Sequence, residues 1–286
     1  MATSIGLRPT SGRSSTAAVL FLTTAVCWIY LFALRSEMGD MSATADMPGM
    51  GTMAGMGDME TARSILAMPM TSAWTGGDIV LMWTMWAVMM AAMMIPSATP
   101  MIQAYSKTVE SSTRSLAQST PSGSTSLFVV GYLISWSGFA ALGTAAQWVL
   151  HDAALVDAMG TSTSRWISGS VLLTAGAYQF SNVKGVCLGK CRTPLGFLLS
   201  AWRPGPRGAL AMGLQHGTLC IGCCWALMAL LFVLGVMNLW WIAIVSTVVL
   251  IEKITHSMML PRVLGVALIL WSMLIMTGLV ETGVST

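Results

Sequence analysis

Charge is what this sequence has least of. Of its 286 residues only 9% are Asp, Glu, Lys or Arg, against about 25% in a soluble globular domain. That scarcity excludes an ordinary soluble fold. The formal net charge of +3 comes without a dense basic cluster and implies no nucleic-acid partner. No P-loop and no phosphorylatable aspartate motif appears, which argues against an ATP-driven pump. The chain has three histidines and six cysteines. None of those cysteines falls within residues 35–77, so no thiol there would be exposed to an oxidising compartment.

What is abundant is apolar sequence. The hydrophobic share is 55%, and it falls into long weakly charged runs. A helix needs roughly 20 apolar residues to cross the hydrocarbon. Seven stretches fit: 16–34, 78–102, 127–150, 165–186, 208–235, 238–260 and 262–281. The expected fold is an all-α, polytopic membrane helix bundle of about seven spans, six plus an N-terminal anchor. The first run is too long for a signal-peptide core and is read as an uncleaved anchor. With the N-terminus in the cytoplasm, eleven of the fourteen Lys and Arg residues face inward, as the positive-inside rule asks.

That topology divides the chain into three parts. Residues 1–35 form the N-terminal tail and anchor helix, 36–77 a flexible Met-rich outer loop, and 78–286 a transmembrane metal-binding helical domain. Residues 105–126 and 187–207 read as inner linkers, the latter basic with an apolar stretch at Leu195–Trp202. Trp136, Trp148, Trp166, Trp240 and Trp241 suit interfacial anchoring. Gly169 and Gly176 suit close helix packing. The expected location is a bacterial plasma (inner) membrane, with the Met-rich loop facing outside and the lipid bilayer as the first partner.

Methionine is the second abundance, with 25 copies. Met47, Met50, Met53, Met56 and Met59 recur every third residue in a glycine-rich stretch, and Met38 and Met41 continue the phase upstream. A polyproline II chain has three residues per turn, so this spacing would line the thioethers along one edge. Thioethers are soft ligands that select Cu(I) and reject hard cations. Met82, Met85, Met89 and Met93 then share one helical face, with Met90 and Met94 on the adjoining one. Pro96 and Pro100 follow and are expected to end or kink that helix.

The third feature is His216-Gly-Thr-Leu-Cys220-Ile-Gly-Cys223-Cys224. With Met212 these fall at i, i+4, i+8 and i+11, one face of a helix, and Cys224 sits about a quarter-turn away. One buried thiol is ordinary core. Three thiols and an imidazole at mid-membrane depth suggest metal ligation, because a bound cation cancels the charge of a thiolate. Cys187 and Cys191 form a second pair, flanked by Lys184, Lys190 and Arg192, whose charges would favour the thiolate. Spacing alone leaves open whether that pair joins the Cys220, Cys223 and Cys224 site. Cys27 reads as packing. Glu252, Lys253 and His256 read as an interfacial cluster with snorkelling side chains.

Several of these stretches carry a family resemblance. Met85-Trp-Ala-Val-Met-Met-Ala-Ala-Met-Met-Ile-Pro-Ser97 is one. Gly176-Ala-Tyr-Gln179 leading to Lys184, Cys187 and Cys191-Arg-Thr-Pro194 is another. Gly213-Leu-Gln-His216-Gly217 with Cys220-Ile-Gly-Cys223-Cys224-Trp-Ala-Leu-Met228 follows, then Gly235-Val-Met-Asn-Leu239 with Glu252-Lys253. Together they resemble a family of predicted metal-binding integral membrane proteins, long catalogued as a domain of unknown function and often labelled copper chaperones. The resemblance implies membrane location and copper binding. The methionine loop lies outside it and points the same way.

The leading expectation is therefore a non-enzymatic, Cu(I)-handling membrane protein. It would deliver or transport copper through Met, Cys and His ligands, with a copper chaperone or copper enzyme as partner. One alternative is a membrane thiol-disulfide oxidoreductase, since Cys220 and Cys223 are formally C-x-x-C. Such an enzyme normally has an outer cysteine pair, and residues 35–77 hold none. Another is an assembly subunit of a copper membrane enzyme. Zn²⁺ would accept the Cys and His set but has little use for methionine.

Overall fold

The computed structural model describes residues 11–45, 74–116, 123–155, 162, 164–236 and 238–280. Within them the regular elements are ten helices: α1 (Ser11–Ala45), α2 (Gly76–Leu116), α3 (Ser124–Asp152), α4 (Arg165–Tyr178), α5 (Asn182–Arg192), α6 (Pro194–Ala201), α7 (Gly205–Ala229), α8 (Leu231–Leu234), α9 (Leu239–Ile254) and α10 (Met259–Met276). Five stretches are long and apolar enough to cross a membrane: Thr16–Ser36, Gly76–Ser111, Ser124–Asp152, Gly205–Leu234 and Met259–Met276.

Two of the seven expected spans come out short. Residues 165–186 break after Tyr178, where Gln179 and Phe180 turn back onto Gly176 and Ala177 before Ser181 caps α5. The 14 residues of α4 and the 16 of α9 reach about 21 and 24 Å, below the roughly 30 Å of hydrocarbon. Two other helices are longer than expected. α1 continues to Ala45, so its backbone carries Met38 and Met41 in a helix and not in a loop. α2 runs to Leu116, into the expected inner linker. Met47, Met50, Met53, Met56 and Met59 lie outside the described residues.

α2 also continues past Pro96 and Pro100, so neither proline ends it as one of the two expectations had it. Each proline removes a backbone donor from the helix ladder. Hydroxyls serve the carbonyls just before Pro96. Ser246 Oγ donates to Met93 O at 3.2 Å, Ser97 Oγ to Met94 O at 2.9 Å, and Tyr132 Oη to Met94 O at 3.2 Å. Serine and neighbouring helices thus add hydrogen bonds to the backbone next to the first proline.

The tightest packing joins α3 to α7. A Cβ on Gly213 would strike the carbonyl of Phe128, and one on Gly131 the carbonyl of Leu210. Gly217 gives the same clearance to Ser135, whose Oγ bonds Leu214 O at 2.9 Å. Only glycine permits such backbone approach. Gly169 and Gly176 do the same for α4 against α10, where they face Met276 and Ile269. Trp136 is 1% exposed, not interfacial, because α3 turns it inward; Trp148, Trp166 and Trp240 remain on the surface.

Candidate metal centre

α7 begins after Pro204, with Gly205 at φ +82° and Pro206 in the first turn, positions where the missing proline N–H costs nothing. Its inward face carries Met212, His216, Cys220, Cys223 and Cys224, all buried. The sulfurs of Cys220, Cys223 and Cys224 lie within 4.8 Å of one another. Residues at i, i+3 and i+4 meet on a helix, which is why the three converge without any loop. Cys223 and Cys224 Sγ both donate to the carbonyl of Cys220, at 3.0 and 3.1 Å. No disulfide forms; all six cysteines are free.

Other helices supply the facing wall. From α2, Met94 Sδ stands 4.0 Å from Cys224 Sγ. From α3, Tyr132 Oη lies 3.2 Å from Cys220 Sγ. From α9, Lys253 Nζ sits 2.9 Å from Cys220 Sγ and 2.7 Å from Ser97 Oγ. Lys253 is a buried residue and Glu252 beside it is 1% exposed, so neither snorkels to an interface. His256 follows the end of α9 and is exposed. The adjoining positions of Met94 and Lys253 were visible in the sequence. Their places in the site were not, because Lys253 is 33 residues from Cys220 and 156 from Ser97.

α5 brings the second cysteine pair to the first. The Cys191 thiol neighbours that of Cys223. Cys187 Sγ rests against Gly222, where an added Cβ would come within 2.8 Å of it. Two anchors hold α5 in place. Lys184 Nζ pairs with Glu252 at 2.7 and 3.0 Å, and Arg192 donates to Glu252 O at 2.8 Å and Ser257 O at 3.2 Å. Those anchors also reverse an expectation about reactivity. With Lys184 and Arg192 turned to α9 and its C-terminal end, burial raises the Cys187 thiol above its ordinary pKa. The neighbouring Cys223 thiol, then burial, hold Cys191 well above the usual thiol range.

His216 is in a different environment from the thiols. Its ring lies among Phe128, Tyr132 and Phe197, with centroids 6.1, 5.7 and 5.5 Å away. Among the described residues its buried Nδ1 has no hydrogen-bond partner, and the histidine is not part of the three-thiol group. Met212 Sδ accepts the backbone N–H of Arg203 at 3.3 Å. Met82, Met85, Met89 and Met93 are buried, at 4% exposure or less, and so are Met90 and Met94. The stripe therefore faces protein and not lipid, and its deep end is Met94 beside Cys224. Chemically, a buried group of three thiols, one thioether and an adjoining thiol on α5 suits a soft cation held by sulfur.

The family model described as PpoB2, copper chaperone, matches residues 83–275. That span includes α3 to α9, most of α2 and nearly all of α10, together with the thiols, Met94 and Lys253. Comparison with curated proteins and with solved structures returns no match.

Proposed function

The chain belongs to the PpoB2 copper chaperone family, and from that footing we propose that it holds Cu(I) on Cys220, Cys223 and Cys224 within its membrane helices and delivers it to a partner. The observation that carries this reading is the convergence of three buried sulfurs within 4.8 Å. Delivery would proceed by ligand exchange, one thiolate replacing another on the ion. Cys191 adjoins Cys223 and is the next acceptor, and Cys187 beside Gly222 is the one after. Both belong to α5 and are half-buried, so they stand between the enclosed cluster and the surface.

On the opposite side the buried methionines of α2 lead to Met94. Met47, Met50, Met53, Met56 and Met59 would gather Cu(I) on the outer face and feed this stripe. His216 and Met212 would serve as ligands during passage, His216 through its unpartnered Nδ1.

The test is copper stoichiometry on purified full-length protein reconstituted with Cu(I) under reducing conditions. Wild type is compared with Cys220→Ser/Cys223→Ser and with a chain lacking residues 47–59. Loss of tightly bound copper in the double variant supports the site. Loss of uptake rate alone in the loop deletion supports the collecting role. Full copper content in the double variant rejects the thiol site.

A further inference from the structure

Lys253 has an unusual set of neighbours for a buried cation. Its ammonium touches a hydroxyl, Ser97 Oγ at 2.7 Å, and a sulfur, Cys220 Sγ at 2.9 Å. The carboxylate next to it in sequence is committed elsewhere. Both oxygens of Glu252 accept from Lys184 Nζ. Arg192 is directed to Glu252 O, Ser257 O and Met258 Sδ. Among the described residues, then, the ion pair at this depth is Lys184 with Glu252, and Lys253 extends past it into the thiol pocket. A buried cation needs a compensating anion. The anion that geometry offers here is sulfur.

We infer that Lys253 is a fixed counter-charge of the metal centre, placed to neutralise a monovalent ion bound by two thiolates. This rests on the Cu(I) reading above. One monovalent ion with two thiolates carries a single net negative charge, which a low-dielectric interior disfavours. One lysine cancels it. The same lysine leaves a divalent ion with two thiolates carrying a net positive charge, so it discriminates by valence. The softness of sulfur cannot make that distinction alone, because thiolates also serve Zn²⁺. Cys220 is the first thiolate, since its sulfur faces the ammonium. Cys223 or Cys224, whose thiols otherwise donate to Cys220 O, supplies the second, and the remaining one of the three stays a neutral thiol. Lys253 is thus a positioning and specificity residue, acting on the ion through charge and not as a ligand.

The experiment measures Cu(I) affinity by competition with a chromophoric Cu(I) chelator, and Zn²⁺ affinity with a zinc-responsive dye. Full-length protein in detergent is used as wild type, Lys253→Met, Lys253→Gln, Lys253→Arg and Cys220→Ser/Cys223→Ser. The two neutral variants are expected to lose Cu(I) affinity by on the order of 10- to 100-fold at unchanged stoichiometry. Lys253→Arg is expected to restore most of it. The ratio of Cu(I) to Zn²⁺ affinity falls in both neutral variants. A structural role alone would not give rescue by charge together with a valence-dependent shift. Unchanged Cu(I) affinity in monodisperse Lys253→Met or Lys253→Gln, or equal loss in Lys253→Arg, overturns the inference. Full Cu(I) binding by Cys220→Ser/Cys223→Ser instead overturns the underlying site, and the two failures are read from different variants.

Discussion

Met94 on α2 and Cys224 on α7 meet sulfur to sulfur at 4.0 Å, across 130 residues of sequence. This is the place where the methionine stripe touches the thiol cluster. Met93, one residue earlier, is engaged through its backbone carbonyl with Ser246. Replacing Met94 with Leu keeps the volume and costs less than about 1.5 kcal/mol of stability. It removes a sulfur from beside the cluster and is expected to weaken Cu(I) binding about tenfold. Met93→Leu is expected to leave affinity near wild type. Chelator competition on both variants checks the pair, and equal effects would remove the special position of Met94.

The Lys184–Glu252 pair, at 2.7 Å with both side chains about 1% exposed, predicts a stability effect. Removing one partner strands a buried charge and is expected to cost about 3–5 kcal/mol. Lys184→Met and Glu252→Leu should therefore each lower the thermal unfolding midpoint sharply. The double variant should recover much of the loss, since two apolar groups leave no orphan. Thermal melts in detergent measure this, and additive losses in the double variant would contradict it.

α3 and α7 approach at Gly131 and Gly213 with no room for a side chain. Gly213→Ala is expected to push the helices apart and cost about 1–3 kcal/mol. The thiol cluster faces Tyr132 on α3, so the same change should also weaken Cu(I) binding. Gly138→Ala on α3 meets nothing within 4 Å among the described residues and is the control, expected to lower neither readout.

Thiol reactivity gives a pH-dependent prediction. Burial raises the Cys187 thiol above its ordinary value. The reactive thiolate is therefore a small fraction at neutral pH, and its share grows only as pH climbs past the ordinary thiol range. Maleimide labelling of a variant retaining Cys187 alone should be slower than that of free cysteine near neutral pH and converge with it in alkali. Labelling faster than free cysteine at pH 7 would show the basic flank acting as the sequence suggests.

The parts legible in sequence were those written in helical periodicity. The i, i+4, i+8 and i+11 spacing on α7 is local, so the inward face of Met212, His216, Cys220 and Cys223 could be read without a fold. The stripe of α2 followed for the same reason. Position within the bundle was not local. His216 was grouped with the thiols because it shares their face, whereas three aromatic rings from α3 and α6 enclose it. Lys253 looked interfacial because charge near a span end usually snorkels; its partners arrive from α2 and α7. Pro96 and Pro100 suggested an end or a kink, and the hydroxyls of Tyr132 and Ser246 that bond the backbone beside Pro96 come from other helices. The division between Tyr178 and α5 depends on a turn with no glycine or proline of its own to mark it.

The most direct measurement is X-ray absorption at the copper edge on Cu(I)-loaded full-length protein, alongside Cys220→Ser/Cys223→Ser. An all-sulfur first shell in wild type, with copper absent from the double variant, is the predicted result. A first shell of nitrogen and oxygen, with copper retained when both thiols are gone, would contradict the account.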